Sequence, residues 1–292
     1  MKTRIHRILS QSPATVFPGV FDSLSAKIAA RAGFEAIFIS GYSLAATYLG
    51  EPDFGLLTQS EMVDAARRVC RSVDVPVIID ADTGYGNALN VIRTVKELVA
   101  AGASGMFLED QVWPKRCGHM RGKKVISLEE QIEKLRAAQE ARGTADFFIV
   151  ARTDARQVLG LDEAIRRANA FRKAGADAAF VEAPRSREEM IRVAKEVEGP
   201  LVANMLEGGV TPLLTREQLG ELGYQFVVCP LTGLYAAAKT LKEVYGHMKE
   251  KGDTIGILDR LLPFEQFHKI IDLDSYYRLD DRYKVAENRS ED

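Results

Sequence analysis

Ala174-Gly-Ala-Asp-Ala-Ala-Phe-Val-Glu-Ala183 decides the fold. A helical stretch runs out in Ala-Gly, an apolar run follows at once, and an acid closes it. Glycine suits a helix C-terminus because it takes positive φ without a Cβ clash. The same unit recurs as Arg31-Ala-Gly-Phe-Glu-Ala-Ile-Phe-Ile-Ser40, Ala101-Gly-Ala-Ser-Gly-Met-Phe-Leu-Glu-Asp110 and Leu222-Gly-Tyr-Gln-Phe-Val-Val-Cys-Pro230. Four more strand candidates lie between them, at Thr15–Val20, 75–80, 147–154 and 200–204, which makes eight. The runs are apolar throughout, as parallel strands covered on both faces must be. Amphipathic stretches separate them. Ser127 caps one, with Glu129 and Glu130 in the first turn and Leu128, Ile132 and Leu135 on one face; Leu161–Lys173, 186–198 and 215–222 behave alike. Eight strands alternating with helices predict an α/β fold of the (β/α)8 TIM-barrel type; a doubly wound open sheet is the competing layout.

Working outward, the 292 residues suit one large domain, and no Pro/Gly/Ser-rich linker divides them. The expectation is a single barrel domain over 1–292, with 252–292 as a C-terminal helical extension. The extension carries Leu258, Leu261, Leu262, Phe264, Phe267, Ile270 and Ile271 at helical spacing, too apolar for solvent. It packs on its own barrel or covers a neighbouring subunit. Lys+Arg at 39 against Asp+Glu at 41 shows no basic excess, which argues against a nucleic-acid partner. No apolar run is long enough for a membrane span or a signal peptide. Three scattered cysteines, Cys70, Cys117 and Cys229, fit neither a disulfide framework nor a CxxC zinc site and suit a cytoplasmic protein.

In such a barrel, function gathers where strands end. Here the ends are polar and acidic: Ser40-Gly41-Tyr42, Asp80-Ala-Asp82, Glu109-Asp110-Gln111, Arg152-Thr-Asp154, Glu182 and Asn204. Asp80 and Asp82, one residue apart, point the same way if the strand stays extended. Together with Glu109 they would repel one another in a dry cavity unless a cation compensates. Oxygen-only ligands favour Mg2+, with Mn2+ possible, over Zn2+. The alternative is that the acids cap helices and pair with Arg or Lys. Trp113-Pro-Lys-Arg-Cys-Gly-His-Met-Arg-Gly-Lys-Lys124 is a cationic loop with a cysteine in its middle. Lys115, Arg116 and His119 are expected to lower the Cys117 thiol pKa and attract carboxylates.

These motifs, with Pro52-Asp53 and Asn204-Met-Leu-Glu-Gly-Gly209, resemble the isocitrate lyase/phosphoenolpyruvate mutase superfamily over nearly the whole chain. Among its branches the chain is most similar to the methylisocitrate lyases, dimethylmalate lyases, oxaloacetate hydrolases and carboxyphosphonoenolpyruvate phosphonomutases. The resemblance implies a (β/α)8 barrel, Mg2+ dependence, a mobile loop carrying the cysteine, and homotetramers that exchange a C-terminal helix. It places Asp80, Asp82 and Glu109 in the metal shell, the metal being held largely through waters. Ser40, Gly41 and Tyr42 fall where the family binds a carboxylate through backbone N–H groups. Arg152 falls on the cation that steadies an enolate-like oxygen, and Cys117 on the lyase general acid. The resemblance also puts Lys115, Asp53 and His119 in the catalytic set, and Gly118, Glu182 and Asn204 at the ligand. Where methylisocitrate lyases usually read Tyr-x-Ser-Gly-Gly, this chain has Phe38, Ser40, Gly41 and Tyr42.

The expected activity is Mg2+-dependent carbon–carbon cleavage of a small di- or tricarboxylate, a 2-hydroxy or 2-oxo acid such as a substituted malate, through an enolate. Such a retro-aldol reaction needs an acid for one fragment and a cationic sink for the other. The alternative enzyme class is phosphonomutase, forming or rearranging a P–C bond. A barrel that binds a metabolite without catalysis is the third reading.

Overall fold

A computed structural model of the chain describes residues 2–284. Two compact units are present, residues 1–237 and 238–292. The first contains eight parallel strands: β1 (Thr15–Val20), β2 (Ile37–Ile39), β3 (Val77–Asp80), β4 (Gly105–Glu109), β5 (Phe148–Thr153), β6 (Ala178–Val181), β7 (Val202–Asn204) and β8 (Phe226–Cys229). Their order, β6-β5-β4-β3-β2-β1-β8-β7, joins the first strand to the last. A single parallel bridge, Ala179 to Leu201, links β6 to β7. The sheet is therefore a nearly closed barrel, and the open doubly wound layout is excluded. β3 and β7 start later than the apolar runs suggest, just after Pro76 and Pro200, because proline lacks the N–H a ladder needs.

Helices follow the strands where capping residues start them. Thr58 accepts from the Glu61 N–H and opens Gln59–Cys70; Ser127 accepts from the Glu130 N–H and opens Leu128–Arg142. Ile37, Ile79, Leu98, Met106, Leu135 and Ile149 pack in one shell between sheet and helices. A second shell holds Ala179, Val181, Met190, Leu201 and Val227.

Inside the barrel the alternation of strand side chains sets everything that follows. Phe17, Phe38, Ile78, Phe107, Phe148, Phe180, Val202 and Phe226 form one buried interior cluster. Phe17 and Phe226 lie 3.9 Å apart, and Phe107 touches Phe38, Phe180 and Phe226 at 4.7 to 5.7 Å between ring centres. One end is plugged by the N-terminal helix Arg4–Leu9, whose Ile5, Ile8 and Leu9 join this cluster. No sequence expectation covers this helix. Its cap is Thr3, paired with His6. Two residues beyond the interior positions Phe38, Ile78, Phe107, Val150, Phe180 and Val202 come Ser40, Asp80, Glu109, Arg152, Glu182 and Asn204.

The second unit comprises the greater part of helix Thr232–Lys251, a 3-10 turn Ile255–Arg260, and helices Phe264–Ile270 and Leu273–Tyr283. Leu258, Leu262, Phe264, Tyr276 and Tyr283 are more than half exposed. Among the described residues no helix is long and apolar enough to cross a membrane.

Candidate active site

The strand ends and the loop after β4 converge on one cavity. Eleven of the fourteen residues expected at the site line it: Ser40, Tyr42, Asp53, Asp80, Lys115, Cys117, Gly118, His119, Arg152, Glu182 and Asn204. Gly41, Asp82 and Glu109 stand immediately behind. The Gly41 N–H donates to Asp80 Oδ2 at 3.1 Å, Asp82 Oδ1 pairs with Lys115 at 2.7 Å, and Glu109 lies 3.4 Å from Arg152 Nε. Gly41 is thus committed to an acid, and Ser40 Oγ caps the short helix Gly41–Leu44 by accepting from the Ser43 N–H.

Two expectations are corrected. β3 does not stay extended through Asp82: it ends at Asp80, and Asp82 has φ 48°. Asp82 joins the cluster through that left-handed turn rather than through strand alternation. The Cys117 thiol is not lowered by its cationic loop. Burial pushes it up to about 11, with Asp53 adding to the rise. The loop cations are engaged elsewhere: Lys115 with acids, and Arg116 with the Arg121 carbonyl at 2.9 Å.

The loop lies closed over the barrel mouth. Its stalk is a bridge between Gln111 and Val125, and the Val112 N–H donates to the Lys124 carbonyl at 2.9 Å. Lys115 Nζ reaches Asp53 at 2.6 Å, and the Cys117 N–H donates to the Asp53 carbonyl at 3.2 Å. Gly118 descends so far that a Cβ there would lie 2.3 Å from Arg152 Nη2 and 2.6 Å from Glu182. The Val210 N–H donates to His119 Nδ1 at 3.1 Å. Nδ1 therefore accepts, which leaves Nε2 as the ring donor facing Glu182 Oε1 at 3.2 Å.

Arg152 is held by three acids: Asp154 at 2.9 Å, Glu182 at 3.2 Å and Glu109 at 3.4 Å. Facing charge keeps Arg152 ionised despite its burial; in return Glu182 and Asp154 are held below the ordinary carboxylate range. Asp82 and Glu109 behave oppositely. Burial pushes Asp82 up to about 7 and Glu109 well up, in spite of Lys115 and Arg152.

The donor set fits a divalent cation. Among the described residues, buried acidic side chains outnumber buried Lys and Arg by seven to five. Glu109 Oε1 is buried without a hydrogen-bond partner. Also among the described residues, no three acidic, histidine or cysteine side chains converge as a complete ligand set. A cation here would take further ligands from water and substrate, as Mg2+ commonly does.

Several residues that support the site carried no readable signal. Arg167 reads in sequence as a surface partner of Glu163 one turn away, yet it is buried and pairs with Asp110 at 2.9 Å. Leu206, Pro230 and Leu231 form an apolar wall of the cavity.

The family model described as phosphoenolpyruvate phosphomutase matches residues 5–249. The chain is 51% identical to the chloroplastic carboxyvinyl-carboxyphosphonate phosphorylmutase of Arabidopsis thaliana, over 99% of this chain and 86% of that protein. It is 42% identical to the 2,3-dimethylmalate lyase of Eubacterium barkeri, over 97% of this chain and 98% of that one. A crystal structure of 2,3-dimethylmalate lyase, described as a PEP mutase/isocitrate lyase superfamily member, superposes with a TM-score of 0.90 at 34% identity, covering 98% of this chain and 96% of the other. A barrel whose strand-end acids, closed loop and cysteine converge in this way, and whose sequence matches the family over most of its length, belongs to the phosphoenolpyruvate phosphomutase family of the PEP mutase/isocitrate lyase superfamily.

Proposed function

We propose that this chain is a Mg2+-dependent carbon–carbon lyase that cleaves a 2-hydroxy or 2-oxo dicarboxylate, with alkyl-substituted malates as the best substrates. The observation that carries the reading is Cys117: a thiol kept protonated, on a closed loop, lining the same cavity as Arg152 and Asp80. A raised thiol pKa suits a proton donor, because the group stays loaded at neutral pH and yields its proton only to a strong base such as a carbanion.

Cleavage breaks the bond between C2 and C3. A carboxylate of the cavity takes the C2 hydroxyl proton as that carbon becomes a carbonyl, and the bond electrons pass to C3, which must be protonated. Asp80, Asp82 and Glu109 would hold Mg2+, which would supply Lewis-acid stabilisation of the negative charge on the substrate. Arg152, fixed by three acids, presents its guanidinium to the developing enolate oxygen. Cys117 Sγ delivers the proton to C3 while the closed loop keeps bulk water out. Glu182 accepts from Asn204 Nδ2 at 3.4 Å and from His119 Nε2 at 3.2 Å, which orients both side chains toward the carboxylate half of the ligand. The Leu206, Pro230 and Leu231 wall offers no side-chain donor, which favours alkyl groups over a further hydroxyl or carboxylate.

A second, phosphonomutase reading is supported by the 51% identity to a relative named carboxyvinyl-carboxyphosphonate phosphorylmutase. A panel of dimethylmalate, other alkylmalates, methylisocitrate and oxaloacetate with Mg2+, followed for pyruvate or oxalate release, separates the two. Carboxyphosphonoenolpyruvate followed by phosphorus NMR is the second arm. Turnover of the phosphonate with no dicarboxylate cleaved would overturn the lyase.

The exposed apolar row on the second unit supports an oligomer in which Leu258, Leu262 and Phe264 are covered by another copy of the chain, a homotetramer by resemblance.

A further inference from the structure

We propose that Lys123 is a positioning residue: its ammonium latches the closed loop to Asp154, and through Asp154 it sets the Arg152 guanidinium. Lys123 Nζ donates to Asp154 Oδ1 at 2.6 Å and to the Gly118 carbonyl, and neither side chain of the ion pair is exposed at all. The same carboxylate accepts Arg152 Nε at 2.9 Å and Nη2 at 3.1 Å. Asp154 Oδ1 is therefore shared between a loop lysine and the active-site guanidinium.

Asp154 is fixed from behind. Its N–H donates to Asp110 Oδ1 at 2.8 Å, and Thr153 Oγ1 donates to Asp110 Oδ2 at 2.7 Å. Asp110 is also the foot of the loop. The Ile126 N–H donates to its carbonyl at 2.9 Å, while Arg167 Nη1 donates to both Asp110 Oδ2 and the Ile126 carbonyl at 2.9 Å. Arg167, Asp110 and Asp154 thus form a base anchored on the barrel and its outer helix. Lys123 is the loop group that plugs into that base.

Two positions are coupled by this arrangement. The Gly118 carbonyl belongs to the residue after Cys117, so Lys123 holds the turn that carries the thiol. When the loop lifts, Asp154 loses one of its two cations, and Arg152 loses the neighbour that shares its acceptor oxygen. With the loop closed, Arg152 lies between Asp154 and Glu182 while Lys123 holds the shared Asp154 oxygen. Lys123 thereby adjusts the guanidinium through that acceptor in the same event that seats the turn carrying the thiol.

The latch rests on the lyase reading for its kinetic arm alone, and its primary readout needs no substrate. Lys123→Met keeps the stem and removes the charge; Lys123→Gln keeps one donor. The rate of Cys117 alkylation by iodoacetamide in the free enzyme reads loop opening, with Cys70 and Cys229 as references in the same digest. Lys123→Met should alkylate Cys117 about tenfold faster or more, with Lys123→Gln between it and wild type. On whichever substrate is turned over, kcat should fall on the order of a hundredfold for Lys123→Met with KM within about threefold, since binding contacts remain. Faster alkylation without any lyase turnover by wild type would uphold the latch while overturning the reaction. Unchanged alkylation in both variants would overturn the latch. So would a large fall in melting temperature, or a failure to fold, in both, because the pair would then be a stabilising bridge of the core.

Discussion

Lys115 Nζ stands 2.7 Å from Asp82 Oδ1, with both side chains almost wholly buried. The loop that brings the thiol to the cavity thus also brings a cation to the acid cluster, and Asp53 at 2.6 Å completes the pairing. Removing one partner of a buried pair leaves an uncompensated charge, which costs about 3–5 kcal/mol when nothing else compensates. Lys115→Met should therefore lower the melting temperature, and added Mg2+ should restore more of it than it adds to wild type. Thermal melts with and without Mg2+ check this. An equal Mg2+ increment in both proteins would contradict it.

Cation binding should depend on pH with a definite sign. Burial pushes Asp82 up to about 7, so the group gains a proton as pH falls through that value. Mg2+ affinity should weaken as pH falls below about 7, where a proton on Asp82 must be displaced, with the raised Glu109 adding to the loss. Calorimetric titration at pH 6 and pH 8 measures the difference; equal affinities would remove Asp82 from the metal shell.

Gly118→Ala tests how tightly the loop must close. The added Cβ would fall 2.3 Å from Arg152 Nη2, so loop or guanidinium must move. A misplacement of about 1 Å can cost on the order of a hundredfold in rate. The loss should appear in kcat with melting temperature nearly unchanged, because Gly118 lies outside the hydrophobic clusters of the barrel. Wild-type kinetics would show that the loop closes less deeply during catalysis.

Truncation before Ile257 addresses assembly. It removes the exposed row from Leu258 to Phe264 and should convert an oligomer into monomer or aggregate. Light scattering that finds the same assembly after truncation would refute exchange of this segment between subunits.

Much of this site is legible in the sequence because strand alternation is a local rule. Ser40, Glu109 and Glu182 could be placed at one mouth because each closes an apolar run, and the structure sets each two residues beyond an interior aromatic, Phe38, Phe107 or Phe180. Asp82 escaped that rule because its backbone turns left-handed, a choice made by the tertiary cluster and not by the dipeptide. Cys117 was misjudged in its electrostatics. Lys115 and His119 are its neighbours in sequence, but in space their charge and hydrogen bonds go to Asp82 and Glu182. Arg167 was invisible because a buried arginine and a surface arginine share the same i,i+4 acid. Lys123 was seen only as loop charge, since its partner Asp154 lies 31 residues away.

Cys117→Ser is the most direct test of the lyase chemistry. It keeps the shape of the side chain and removes the thiol proton. On the best dicarboxylate of the panel, kcat should fall by about 10²–10⁴-fold, the range for losing a general acid. KM and melting temperature should change little, because Arg152 and the acid cluster still hold the ligand. Near-wild-type turnover by Cys117→Ser would contradict the role of the thiol as proton donor.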